Sequence, residues 1–542
     1  MVFVFHTLFP TFLILCSCQS SVIKAHFALL VIPLWILALV ISKVISDQIY
    51  LHNVKRRAKN LNALLVPPSN ISGIRASVLI MRYIGRTFSN NLLLKLEPRL
   101  TQPYNAGIYN KKTTGPYSRI IITDPQIIKE IFSPQSFTKF GRGEDFKHAF
   151  RFLLGSGIFT NGPDQEWKYN RGLIKPFFSK ERVNNVNVSH IDKIINKFLN
   201  HSKNSDPVDV SDSLSVMMFD LSLDYFFGFT YDESSQELRR KNLSAFSDAT
   251  KNALYQCSVG PLGSLLEKIP KYSVQKSTQS LRELVNLMIE NAKEDNAKES
   301  TSTKKKDKHE DDFNSFFHYL VTRTGDSKLL YDATLNLFFA SRGTTAALMV
   351  STLYEFSQHG ALYKELREEI IRLFGKDSIP DNQRVLRDCK ILHAVLKETL
   401  RMYPSAPTVT RHCLEDTVVT SQFNERYFIP RGSDLDMSIS LMQRNRSLWG
   451  DNAEEWDPYR WLDSRYEKVK SNPSIYVPFS QGPRICPGQE QAIQIATVFL
   501  VRFCQTFENV ERATDVQPNV LLTSTLGIVW KGGMWLRMAP PS

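Results

Sequence analysis

The chain has 542 residues, 42% of them hydrophobic and 22% charged, enough to bury one large core or two ordinary ones. Its formal net charge of +13 suits an acidic partner or an anionic membrane surface. There is no basic stripe interleaved with aromatics and no zinc-finger spacing, which argues against a nucleic-acid-binding role.

Seven cysteines (Cys16, Cys18, Cys257, Cys389, Cys413, Cys486 and Cys504) are scattered through the length, which is no disulfide framework and fits a reducing compartment. Two apolar segments open the chain. Val2 to Cys18 is uncharged, short and without a basic flank, so spanning, interfacial and inert readings all stay open. A cleaved signal peptide is the weaker reading, because a soluble lumenal protein would not keep a second span. Ala25 to Ile41 reaches spanning length if it runs on toward Ile45. Lys55, Arg56, Arg57 and Lys59 follow, and by the positive-inside rule they put everything after them on the cytosolic side. Pro67-Pro68 then reads as a stiff elbow. The expected organisation is an apolar segment at 1–24, an anchor at 25–52, a basic and proline-rich hinge at 53–71, and one globular unit over 72–542. The sequons at Asn70, Asn187, Asn242 and Asn445 would go unused on a cytosolic body.

Within the globular unit, Arg119 to Thr123 reads as a short strand and Asp124 to Phe132 as a helix with Asp124 as N-cap. Trp167 and Arg171 are four apart and share a helix face, a pairing that by itself is usually cation–π packing. Lys293 to Asp312 is charged and low in complexity, and is expected to be a disordered insert. Leu329 to Glu355 predicts a long apolar helix with Ala340-Ser341-Arg342-Gly343-Thr344-Thr345 at its centre. Gly343 costs helix propensity, about 1 kcal/mol against alanine, and is a candidate kink. Glu398 and Arg401 share a helical face, and if buried they need a further partner, for which Arg460 in Trp456-Asp457-Pro458-Tyr459-Arg460-Trp461 is available.

The most constrained stretch is Phe479-Ser480-Gln481-Gly482-Pro483-Arg484-Ile485-Cys486-Pro487-Gly488, ahead of an apolar helical run from Ala492 to Phe503. A thiolate needs nearby positive charge or a metal to stay ionised, and haem iron is a soft acceptor for it. Gly482 and Gly488 would let the backbone turn and approach a flat ring. Arg484 would meet an anion such as a haem propionate, and Phe479 would pack on the ring. Thr523 to Arg537 reads as a terminal hairpin with Gly532-Gly533 as its turn.

The pattern F-x-x-G-x-R-x-C-x-G resembles the haem-binding loop of the cytochrome P-450 family, preceded in order by E-x-x-R and P-x-R-W segments. The resemblance runs from about Ser72 to Arg537. It implies a mainly α fold with a small β region, an N-terminal membrane anchor, and haem b with Cys486 as iron ligand. Trp167, Arg171 and Arg411 are then implied haem-propionate partners beside Arg484, with Phe479 and Gly488 against the ring. Glu398, Arg401 and Arg460 would form a buried structural triad. Thr344 and Thr345 match the family's oxygen-activation motif, usually A-G-x-[D/E]-T-[T/S]. Ser341 stands in place of its glycine and Gly343 in place of its acid. Tyr459 likewise replaces the glutamate of P-E-R-W.

The implied activity is oxygen insertion into a C–H bond, with electrons from NADPH through a cytochrome reductase and cytochrome b5 as a further candidate donor. The runs FKHAFRFLLGSGIFTNGPDQEWKYNR and LNLFFASRGTTA look like the fungal alkane- and fatty-acid-hydroxylating branch, at the endoplasmic reticulum membrane. Two alternatives take Gly343 as their starting point: an enzyme that rearranges hydroperoxides or uses peroxide directly, and a non-catalytic haem-binding membrane protein.

Overall fold

In the computed structural model, the described residues are 21–67, 107–111, 119–184, 188–203, 206–231, 235–259, 263–301, 315–378, 385, 387–517, 521–524 and 527–541. Among the helices of the body are α2 (Pro125–Phe132), α3 (Gln165–Ile174), α4 (Val210–Phe227), α5 (Gln279–Thr301), α6 (Ser327–Gln358), α7 (Lys390–Met402) and α8 (Gln489–Thr506); α1 (Ser21–Asn60) precedes them. The β part is small. Strands β2 (Ile108–Lys111), β3 (Arg119–Ile122), β4 (Phe140–Gly141), β6 (Thr408–Cys413) and β9 (Asp434–Ser438) form a sheet in the order β2-β3-β9-β6-β4. Its β3–β9 pair is parallel, with Ile120 opposite Leu435. Asp124 caps α2 as expected, one carboxylate oxygen accepting from the Gln126 and Ile127 amides at 2.9 and 3.0 Å.

Helix α6 explains the architecture. Its first half buries Leu330, Leu335, Leu337 and Phe338 among the aromatics of α4 and residues such as Leu281 and Val285 of α5. Its second half buries Ala346 to Val350, Leu353 and Phe356 against α7 and α8. One helix thus runs through two cores, apolar on nearly every face, as a helix packed on all sides must be. Between its ends, its burial lapses most over residues 339–344, and nothing lies within 4 Å of a notional Cβ on Gly343.

Several expectations are corrected. The proposed hinge over 53–71 is helical through Asn60; Val54 and Ala58 are buried against Phe428. Beyond it, β1 (Leu64–Leu65) pairs in parallel with β8 (Arg426–Ile429), which itself pairs with β7 (Thr417–Thr420). Pro68 lies outside the described residues. Among the described residues, no helix is long and apolar enough to cross a membrane. The side chains of residues 21–36 and the whole of 1–20, where the two apolar segments chiefly fall, lie outside that description.

The charged insert is not wholly irregular, because α5 continues through its first nine residues to Thr301. The terminal hairpin turns earlier than expected. β11 (Leu521–Ser524) pairs with β12 (Ile528–Lys531), whereas β13 (Trp535–Ala539) leaves to join β10 (Asn509–Arg512) and β5 (Val208–Asp209). Gly532 and Gly533, both at positive φ, steer the chain between sheets. Leu526 is outside the described residues, and Val529 is exposed. Of the sequons, Asn242 is fully buried with its amide on Tyr231, and Asn445 caps a short helix.

Candidate active site

The cysteine loop closes on itself. The Cys486 amide donates to the Phe479 carbonyl at 3.0 Å and the Ile485 amide to Gly482. Gly482 has φ +71, and a Cβ there would stand 1.7 Å from the Phe132 carbonyl oxygen. Its lack of a side chain is therefore imposed by the end of α2, rather than by a flat ring as the sequence suggested. Gly488 stands at the N-cap of α8, with Phe178 at ordinary contact distance from a notional Cβ. Phe479 is half-buried against the core.

Cys486 is exposed, unlike Cys389, Cys413 and Cys504, which are buried. Burial raises its thiol pKa, opposed by the Gly488 amide, which donates to the sulfur, and by the Arg171 charge. Arg171 also donates to the neighbouring Ile485 carbonyl at 2.7 Å, so it addresses the cysteine loop directly. Trp167 on the same helix face is buried between Phe137 and the Arg484 guanidinium, which lies 4.6 Å from its ring centroid.

Arg484 belongs to a buried cluster with Arg411 and Arg142. Arg484 is pushed down to about 9 by burial and by the Arg142 charge, with Asp164 pulling the other way. Arg142 falls to about 10 by burial, and Arg411 is strongly depressed by burial and by both neighbouring arginines. The Nε atoms of Arg142 and Arg484 are buried without a hydrogen-bond partner among the described residues. Three mutually repelling guanidiniums, two of them with an unpaired Nε, are a donor set suited to an anion. Beside a solvent-facing thiol, two carboxylates on a flat macrocycle fit that donor set. The sequence reading missed Arg142; its only signal is a lone arginine between two glycines, in Phe140-Gly141-Arg142-Gly143.

Helix α6 is α-helical without a break at Gly343. Gly343 and Thr344 are exposed, whereas Thr345 is buried in the core, so the two threonines are not equivalent. The Thr344 hydroxyl donates to the Ala340 carbonyl at 2.7 Å, leaving its lone pairs to accept. The Thr344 carbonyl accepts from Ser405 at 2.8 Å. Ser341 turns the other way, onto the Leu337 carbonyl and the Ser222 hydroxyl, each at 2.8 Å.

The Glu398, Arg401 and Arg460 side chains are essentially inaccessible to solvent and fully engaged. Glu398 takes both Arg401 Nε and Nη2, at 2.9 and 2.8 Å, with Arg460 Nε at 3.4 Å. The Trp461 indole and the Asp457 amide complete its partners, each at 2.9 Å. Arg401 spends its remaining donors on the Gln443, Ala453 and Glu455 carbonyls. Gln443 carries the link onward, donating to the last carbonyls of α7 and accepting from the Val477 amide, two residues before Phe479. No sequence pattern marked Gln443. Tyr459, in the position expected to hold a glutamate, points outward to Glu365 and takes no part.

A family model described as cytochrome P450 matches residues 109–533. Cytochrome P450 52-E3 of Starmerella bombicola is 31% identical over 392 residues, which is 68% of this chain and 72% of that one. Cytochrome P450 52A3-A of Candida maltosa is 29% identical over 428 residues, 74% and 77% of the two chains. Cytochrome P450 monooxygenase himC of Aspergillus japonicus is 28% identical over 436 residues, 78% and 74% of the two.

Proposed function

The chain belongs to the cytochrome P450 family and is a haem-dependent monooxygenase, and we propose that it hydroxylates a fatty acid or alkane, at or near the chain terminus. The observation that carries the assignment to this site is the convergence of a solvent-facing Cys486 with the Arg142, Arg411 and Arg484 cluster. Haem b, when bound, supplies the oxygen chemistry that no side chain can, and a thiolate ligand favours it electronically.

The residues have separable tasks in this reading. Cys486 would be the iron ligand, with the Gly488 amide, Arg171 and the N-terminus of α8 favouring its thiolate against the burial that raises its pKa. The three buried arginines neutralise the propionates, and Trp167 holds Arg484 in place. Thr344 orients water or passes a proton at its Oγ1, and Gly343 leaves that step without an adjacent carboxylic acid. Thr345 supports the helix from the core side. Electrons come from NADPH through a reductase, with cytochrome b5 as a further donor, and the net charge of +13 suits an acidic partner. The apolar run from Ala25 to Ile41 supports an anchor in the endoplasmic reticulum membrane with the body on the cytosolic side.

The first experiment is the carbon monoxide difference spectrum of the reduced protein in membranes. The strongly red-shifted Soret band of a thiolate-ligated haem is expected, and Cys486→Ala is expected to abolish it. A wild-type band at the position of a histidine- or thiol-ligated haem would overturn the assignment of Cys486. With the ligand established, absence of binding and turnover across a fatty-acid and alkane chain-length series would overturn the substrate class.

A further inference from the structure

The segment from Leu154 to Gly162 is held by hydrogen bonds from α6 on one side and from the cysteine loop on the other. From α6, the buried Asn336 amide donates to the Leu154 carbonyl at 2.7 Å, and its oxygen accepts from the Phe159 amide at 3.4 Å. One turn earlier, the buried Asp332 accepts from the Ser156 amide at 3.0 Å and pairs with Lys328 at 2.6 Å. From the cysteine loop, Arg484 donates to the Asn161 and Gly162 carbonyls at 3.2 and 2.7 Å. Asn170 on α3 fixes the Ser156 carbonyl at 2.9 Å. The fit is tight, since a Cβ on Gly155 or Gly157 would lie 2.0 Å from the Asp332 or Asn336 side chain. Gly155 has φ +50 besides.

We propose that Asp332 and Asn336 are positioning residues for the reaction: they make this segment a strut between the helix carrying Thr344 and the loop carrying Cys486. Two consequences follow from the geometry. A strut tied to α6 at one end and to Arg484 at the other fixes how far the oxygen-side helix stands from the cysteine loop. It also fixes Phe159, whose ring meets Phe339 edge-on at 5.3 Å, next to the Ala340 whose carbonyl takes the Thr344 hydroxyl. The half-buried Ile158 and Phe159 are thereby registered against Thr344 and act on where a chain-shaped substrate stops. Misplacement by about an ångström is enough to cost a large factor in a positioned reaction. The inference rests on the monooxygenase reading and adds residues that lie outside the cysteine loop and the threonine pair.

The test is Asn336→Ala in the full-length enzyme, with Asp332→Asn as the conservative counterpart that keeps an acceptor for Ser156. A wild-type protein lacking the thiolate Soret band would sink the monooxygenase reading itself. With that band intact in wild type and variant, three readouts address the strut: substrate-induced Soret shifts titrated with a fatty-acid chain-length series, product position, and product formed per NADPH. Asn336→Ala is expected to weaken binding of the preferred chain about tenfold, equivalent to ~1.4 kcal/mol, to spread product over neighbouring carbons, and to lower coupling. Asp332→Asn, which keeps an acceptor for Ser156 but loses the Lys328 ion pair, is expected to move the same three readouts in the same direction by a smaller factor. A merely structural role would reduce the amount of haem-loaded protein and leave these properties of the loaded fraction unchanged, and that result overturns the proposal. Should Asn336→Ala not load haem, amide hydrogen exchange on the wild type decides. The Ser156 and Phe159 amides are expected to be strongly protected, and exchange at the rate of an open loop would overturn the strut.

Discussion

At the scale of single residues, environment separates groups that look alike in sequence. Thr344 and Thr345 are adjacent, yet one is exposed and the other is in the core, because a helical step of 100° turns neighbouring side chains to different faces. Burial and neighbouring guanidinium charges depress Arg411 and Arg484. The wholly buried Arg401 instead meets both carboxylate oxygens of Glu398. His393 on α7 gives a pH prediction. Burial first, and the Lys397 charge second, push it down to about 4, so the folded protein holds it neutral. The unfolded chain binds that proton below its ordinary value of about 6.5, so this residue removes stability as pH falls from about 6.5 toward 4. His393→Gln is expected to flatten that part of the stability-versus-pH curve, measured by denaturant unfolding. An unchanged slope would mean that His393 titrates normally in the fold.

At the scale of elements, α6 and α7 do opposite jobs. Helix α6 passes through two cores and relaxes its burial between them over residues 339–344, so its exposed middle is a consequence of what packs on either side. Gly343 leaves the helix unbroken because the flanking turns are pinned by tertiary packing, which outweighs about 1 kcal/mol of propensity. Helix α7 is the anchor of a polar network that reaches the cysteine loop through Gln443 and Val477. Removing one partner from a buried ion network leaves the others uncompensated, a cost of about 3–5 kcal/mol. Glu398→Ala is therefore expected to destabilise the fold by that order in thermal or denaturant unfolding, and to reduce haem-loaded protein sharply. Near-normal stability would show that water or another group compensates Arg401 and Arg460.

At the scale of the whole molecule, α1 and the catalytic body are joined by contacts where a hinge was expected. Val54 and Ala58 bury against Phe428, Arg57 holds Asp416 through both carboxylate oxygens at 2.7 and 3.0 Å, and β1 extends the β7–β8 ribbon. The ion pair is half-exposed and contributes at most about 1 kcal/mol, so the apolar contact is the stronger part of the joint. Val54→Asp is expected to release the end of α1, seen as rapid limited proteolysis between Leu61 and Val66, with unfolding of the body unchanged. Equal protease resistance in the variant would sink the docked arrangement.

The sequence alone determined the family, the mainly helical class, the N-cap at Asp124, the extent of α6 to within a few residues, and the Glu398, Arg401 and Arg460 network. These follow from local rules: capping, apolar periodicity and spacings that force particular residues onto one face or into one tight loop. What the tertiary structure decided depends on partners distant in sequence. Arg142 joins Arg411 and Arg484 from 269 and 342 residues away. Gly482 is set by the Phe132 carbonyl, and the Leu154–Gly162 strut by Asp332 and Asn336. No spacing encodes such meetings, because the distance between two side chains across a core is fixed by how whole elements pack, and chain separation carries no trace of it.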